Sequence, residues 1–168
     1  MFIKNKRNKL KELAQIGKNC EIFGDVDFGS EPYLISIGNN VKISHGVKFI
    51  THDGGVYILR NLKNEYKYAD IMGNIIIKNN VFIGMNAIIL PGVTIGNNVI
   101  VGAGSIVTKS IPNDSIVGGN PARIICTIEE YEEKRKSNFQ YTKMMNPIEK
   151  KEYLLDQCNK DKNKFLKR

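Results

Sequence analysis

Between Ile75 and Pro112 an aliphatic side chain returns at every sixth residue without a slip, at Ile77, Ile83, Ile89, Ile95, Val101 and Val107. Four residues after each of the first five stands a compact one: Val81, Ala87, Val93, Val99 and Ser105. A period of six matches neither the 3.6 of an amphipathic helix nor the 2 of an alternating strand, but it matches a short strand followed by a corner. Three such sides close one coil, and coils stack at the inter-strand spacing of about 4.8 Å with the backbone of each bonded to the next. Ordinary buried parallel strands would need crossover helices, and no helical segment interrupts this run. The expected fold class is an all-β solenoid with short helical segments at its amino and carboxy ends.

The corners need residues that tolerate positive φ. Asn39-Asn40, Asn79-Asn80 and Asn97-Asn98 fall two and three places after the aliphatic position each time, and Gly84, Gly96 and Gly102 are expected to serve the same need. Towards the amino end the count runs through Ile16, Ile22 and Phe28, breaks at Ser30 to Ser36, and resumes in a new phase at Ile37, Ile43 and Phe49. The shift predicts an insertion of about three residues around Glu31-Pro32-Tyr33, bulging from a corner. It brings Asp25, Asp27, Glu31 and Tyr33 forward as acceptor-binding candidates.

From Thr51 to Asn74 the repeat stops altogether. So long a loop inside a compact repeat is functional or disordered, and Tyr57, Ile58, Leu59, Tyr66 and Tyr68 make this one too apolar for disorder. An ordered excursion that covers a site, on a neighbouring subunit, is predicted. Residues 1–15 read as an amino-terminal capping helix, 16–126 as the repeat domain and 127–168 as a helical tail. In that tail Thr127-Ile-Glu-Glu is a capping box opening a helix over Ile128 to Ser137, and Asn146-Pro147 opens another that runs to about Cys158. The last ten residues are expected to fray.

The net charge of +8 gathers at the two ends. Lysine outnumbers arginine and no nucleic-acid motif is present, so the charge reads as solvated surface, with weak attraction to an anionic membrane face or to an acidic polysaccharide as its further use. Lys4, Lys6, Arg7, Lys9 and Lys11 precede no apolar segment, and no run reaches the roughly 18 apolar residues of a membrane span; a cytoplasmic location is expected. Cys20, Cys126 and Cys158 are too scattered for a disulfide framework or a zinc site, and Cys20 reads as core filler.

With Val101-Gly-Ala-Gly-Ser-Ile-Val-Thr-Lys-Ser-Ile-Pro112 and Gly118-Gly-Asn-Pro-Ala-Arg123, the repeat over residues 16 to 126 resembles the hexapeptide-repeat acyltransferases. The fragment from Phe28 to Gly55 looks like the subgroup that O-acetylates sugars in surface-polysaccharide biosynthesis. The resemblance implies a left-handed parallel β-helix, a homotrimer, and acetyl-coenzyme A as cosubstrate with no metal. The usual right-handed crossover rule would have given the opposite hand.

A sugar hydroxyl is a poor nucleophile at neutral pH, and an imidazole with an unperturbed pKa near 6.5 can take its proton as the thioester carbonyl is attacked. The chain has two histidines, His45 and His52. By resemblance His52, at the mouth of the excursion, is the general base. His45 is an acceptor-orienting candidate, and Asp53 or a backbone carbonyl would steer the His52 ring. The resemblance also assigns the developing oxyanion to the backbone N–H of Met85, where a smaller residue is common. It lays pantetheine along Gly102, Ala103 and Gly104, where missing side chains would let it reach backbone amides, and sets Thr108, Lys109 and Arg123 near the phosphates. Substrate candidates are His45, Asp53, Asp25 and Tyr33.

Within this class the acceptor could instead be an amino sugar on a nucleotide carrier, a free oligosaccharide or an antibiotic. From other classes, a γ-type carbonic anhydrase would need three histidines, and a silent scaffold would have no use for His52, Lys109 or Arg123.

Overall fold

Each six-residue unit folds as a strand of two or three residues with the counted side chains turned inward. In chain order these are β1 (Gln15–Ile16), β2 (Glu21–Ile22), β3 (Ile35–Ile37), β4 (Val41–Ile43), β5 (Lys48–Phe49), β6 (Ile75–Ile77), β7 (Val81–Ile83), β8 (Ile88–Ile89), β9 (Thr94–Ile95), β10 (Val99–Val101), β11 (Ile106–Val107), β12 (Ser115–Gly118) and β13 (Arg123–Thr127). The computed structural model describes residues 10–165. These divide into one unit up to Glu133 and a second from Lys134.

The strands form three sheets, ordered β1-β3-β6-β9, β13-β12-β10-β7-β4-β2 and β11-β8-β5. We call them sheets A, B and C. The chain visits them in rotation, and each strand pairs in parallel with its counterpart one passage later, as in Val41 with Val81 and Val81 with Val99. A strand this short buries too little to persist alone, so stacking supplies the stability. Every aliphatic and compact position counted between Ile77 and Val107 is at most 2% exposed. In the lower coils Phe28 and Phe49 stack inside at 5.4 Å between centroids. Ile16, expected in the same core, is 42% exposed because β1 is the edge strand of its sheet.

The corner between sheets A and B carries the asparagines, with φ from 54° to 57° at Asn19, Asn40, Asn80, Asn98 and Asp114. Their neighbours form a ladder: the backbone N–H groups of Asn39, Asn79 and Asn97 donate to the side chains of Asn79, Asn97 and Asn113. The glycines expected to share this role do something else. Gly84 and Gly96 do not have positive φ; a Cβ at Gly84 would lie 2.5 Å from the Ala103 nitrogen in the next coil. Close approach of stacked backbones, rather than left-handed conformation, requires glycine there.

The insertion is a 3₁₀ turn at Pro32–Leu34. The excursion is ordered, with helix α1 (Val56–Leu62) and a 3₁₀ turn at Asn64–Tyr66. Its neck is antiparallel: Gly73 N–H donates to the Thr51 carbonyl at 2.8 Å and Asp53 N–H to that of Ile71 at 2.9 Å. At the other end β13 folds back antiparallel on β12, an element the six-residue count does not predict.

Thr127 and Glu130 form the reciprocal capping box, and helix α2 (Ile128–Arg135) ends before the expected Ser137 in a 3₁₀ turn at Lys136–Asn138. In the second unit, Asn146 caps helix α3 (Pro147–Phe165), which runs past Cys158 through most of the segment expected to fray. Of the expected amino-terminal helix, Leu10 and Lys11 are helical, residues 1–9 lie outside the described residues, and Gln15 already belongs to β1. Among the described residues no helix is long and apolar enough to cross a membrane.

Candidate active site

His52 stands at the corner between sheets C and A, where the excursion leaves the stack, and its side chain is 44% exposed. Its Nδ1 lies 3.0 Å from Oε2 of Glu31, one coil below, and the Thr51 hydroxyl donates to the same oxygen at 2.6 Å. The Thr51 hydrogen bond and then that of His52 hold the Glu31 carboxyl below its ordinary range, against the opposing effect of burial. An ionised carboxylate only accepts, so the ring nitrogen facing it carries the hydrogen and Nε2 keeps its lone pair. The contact favours the tautomer with its hydrogen on Nδ1, and it fixes the ring from behind.

Around it lies a pocket of about 240 Å³ lined by Glu31, His52, Asp53, Arg60, Asp70 and Met72 among others. Arg60, on α1, donates from Nε to the Ala69 carbonyl at 2.7 Å and pairs through Nη2 with Asp70. Of the two candidates for steering the His52 ring, Asp53 or a backbone carbonyl, Asp53 is engaged elsewhere. Its Oδ1 accepts from the Gly55 N–H at 2.8 Å, capping the turn, and Glu31 holds the ring instead. Tyr33 is 61% exposed in the 3₁₀ turn that carries Glu31 towards His52.

Asp25, His45, Met85 and residues 102–104 occupy the other end of sheet C, at the corner with sheet B. There His45, Met85 and Ala103 recur one above another: Asn86 N–H donates to the His45 carbonyl at 3.0 Å and Gly104 N–H to the Met85 carbonyl at 2.7 Å. Asp25 lies 3.9 Å from Nδ1 of His45, and its Oδ1 accepts from Gly46 N–H. The pocket at His52 includes none of these residues. Of the backbone amides at this edge, Gly102 N–H is bonded to the Val117 carbonyl and Gly104 N–H to that of Met85. Among the described residues, the N–H groups of Met85 and Ala103 face no protein acceptor. Beside them a Cβ at Gly104 would meet only open space, so this edge has free donors next to an unobstructed surface, as a polar and slender ligand requires.

Thr108 and Lys109 are exposed on the edge that carries His52, after β11, and Arg123 is exposed at the start of β13 with Nη1 donating to the Ala122 carbonyl at 3.0 Å. Among the described residues no group of three or more His, Cys, Asp or Glu side chains is placed to hold a metal ion.

Residues 68–109 match the family described as bacterial transferase hexapeptide (six repeats). Protein CapG of Staphylococcus aureus is 54% identical over 171 residues, spanning 96% of this chain and 97% of that protein. Among solved structures, a maltose O-acetyltransferase from Clostridium difficile 630 is similar with a TM-score of 0.57 and 28% identity over 75% of each chain. A galactoside acetyltransferase in complex with coenzyme A gives 0.52 and 29%, covering 79% of this chain and 74% of that one. With a relative of this identity along nearly its whole length and the repeat laid out in three parallel sheets, the chain belongs to the hexapeptide-repeat transferase family.

Proposed function

We propose that this protein transfers acetyl from acetyl-coenzyme A to a carbohydrate hydroxyl, with His52 as general base, and that it acts in surface-polysaccharide biosynthesis. The observation that carries this reading is the His52–Glu31 pair: an accessible imidazole whose rear nitrogen is held by a carboxylate at 3.0 Å. Kinship with acetyltransferases of known structure supports the donor and the sugar class of acceptor. It also supports reading the three-sheet rotation as a left-handed parallel β-helix.

In this reading Nε2 of His52 takes the hydroxyl proton as that oxygen attacks the thioester carbonyl. The N–H of Met85 faces the oxygen that gains charge, where an already oriented donor is most effective. The carbon–sulfur bond breaks, the imidazolium returns its proton to the leaving thiolate, and the products are the acetylated sugar and free coenzyme A. Met85, Ala103 and Gly104 would hold the pantetheine arm, with Thr108, Lys109 and Arg123 towards the phosphates. His52 and Met85 lie at opposite ends of sheet C, so the site is completed when the His52 edge of one subunit meets the Met85 edge of another, as in a closed threefold ring.

Substituting His52→Ala should leave folding and acetyl-coenzyme A binding intact, since the side chain is outside the core, and lower turnover by about 10²- to 10⁴-fold. Wild-type turnover in this variant on a verified carbohydrate acceptor would remove the assignment.

A further inference from the structure

The pocket at His52 has a charge balance that bears on which acceptor it takes. Three carboxylates line it, those of Glu31, Asp53 and Asp70, against one guanidinium, that of Arg60. That guanidinium is tied to the excursion through Nε to the Ala69 carbonyl and through Nη2 to Asp70. Glu31 is likewise occupied by Thr51 and His52, and its depressed pKa keeps it charged. Arg60 and Asp70 offset each other, so an incoming carboxylate would meet the excess negative charge of Glu31 and Asp53 among the lining residues. In a pocket this small, at about 240 Å³, it could not stand off by a Debye length. A hydroxyl-bearing ring suffers no such repulsion and finds carboxylate oxygens as acceptors for its O–H groups.

We propose that Asp53 and the Arg60–Asp70 ion pair determine specificity for the acceptor, admitting an uncharged sugar ring at His52 and rejecting a ring that carries its own carboxylate. The proposal rests on the reading of His52 as the base for a carbohydrate hydroxyl. It narrows the acceptor class by electrostatics alone. Asp53 and Asp70 act on acceptor choice; neither is required for proton transfer.

The test uses the full chain with acetyl-coenzyme A and matched pairs of methyl pyranosides and their methyl uronosides in the gluco, galacto and manno series. The neutral member of a pair should have kcat/KM about tenfold or more above its uronate, and the preference should shrink at high ionic strength. Asp53→Asn and Asp70→Asn each remove a charge while keeping the oxygen that accepts from Gly55 or Arg60, and each should narrow the preference several-fold at low salt. A preference for the uronate, or a neutral preference unaltered by salt and by both folded variants, would overturn the proposal. If Asp70→Asn fails to fold, Asp53→Asn alone decides. Should wild-type protein bind acetyl-coenzyme A yet acetylate no member of any pair, the carbohydrate reading itself fails, a result distinct from loss of selectivity alone.

Discussion

Glu31 joins the repeat to the chemistry, because it holds both Thr51 and His52 from a different coil. In the proposed mechanism it fixes the tautomer that leaves Nε2 basic. Glu31→Gln should therefore lower kcat by about 10²-fold or more with little change in acetyl-coenzyme A affinity, as seen when a carboxylate that orients a catalytic histidine is made an amide. Stability supplies an independent check with a definite sign. The folded-state pKa of Glu31 is depressed below its ordinary 4.5, so its stabilisation is complete above that pH and disappears as pH falls through the depressed value. The gap between wild type and Glu31→Gln, about 1–3 kcal/mol for hydrogen bonds to a charged group, should be present near pH 7 and close in acid solution as Glu31 takes up its proton. A gap that did not change with pH in thermal melts would show that Glu31 is not held as a carboxylate.

The pairing was legible in the spacing, though only through the insertion. Asparagines in successive regular coils are 18 residues apart, as in Asn79 and Asn97, whereas Glu21 and Lys42, flanking the inserted turn, are 21 apart. Glu31 and His52 are separated by the same 21 residues and so fall one above the other. Asp53, the nearer carboxylate in sequence and one of two candidates left open there, closes its own turn instead.

At the scale of elements, the six-residue period predicted the strands, the inward positions and the asparagine corners, since all follow from side chains repeating in a narrow interior. What it mistook was the use of glycine. Gly84 is demanded by the coil above it, and a Cβ there would sit 2.5 Å from the Ala103 nitrogen and 2.9 Å from the Gly102 carbonyl carbon. Backbone cannot yield as a flexible side chain can, so Gly84→Ala should destabilise the protein by about 1–3 kcal/mol in denaturant unfolding. An unchanged midpoint would mean that the coils are not packed so closely. The period also could not announce β13, because its antiparallel pairing to β12 comes from a reversal after Gly118 and not from another coil. The order of the excursion was readable from its apolar content, whereas the Arg60–Asp70 pair within it joins residues that no period relates.

At the scale of the whole molecule, the candidate residues fall on two separate edges of one chain. The His52 edge carries the proposed base, Lys109 and the excursion; on the other, among the described residues, the N–H groups of Met85 and Ala103 face no protein acceptor. Tyr57, Ile58, Leu62 and Tyr68 are each more than half exposed on the excursion, a concentration of apolar surface suited to covering a second subunit. Neither handedness nor assembly could be read from spacing, since both hands of a three-sided coil give the same six-residue count.

Subunit mixing tests the shared site most directly. His52→Ala removes the base but leaves its own Met85–Ala103 edge intact, whereas Ala103→Trp obstructs that edge and leaves His52 in place. Each variant alone should have turnover lowered by about 10²-fold or more. After unfolding and refolding together in equal amounts, random assortment in a symmetric ring pairs an intact base with an intact edge at roughly a quarter of the sites, and a corresponding fraction of wild-type turnover should return. Mixed assemblies that form yet remain as inactive as either parent would contradict the account, because each chain would then carry both halves of its own site.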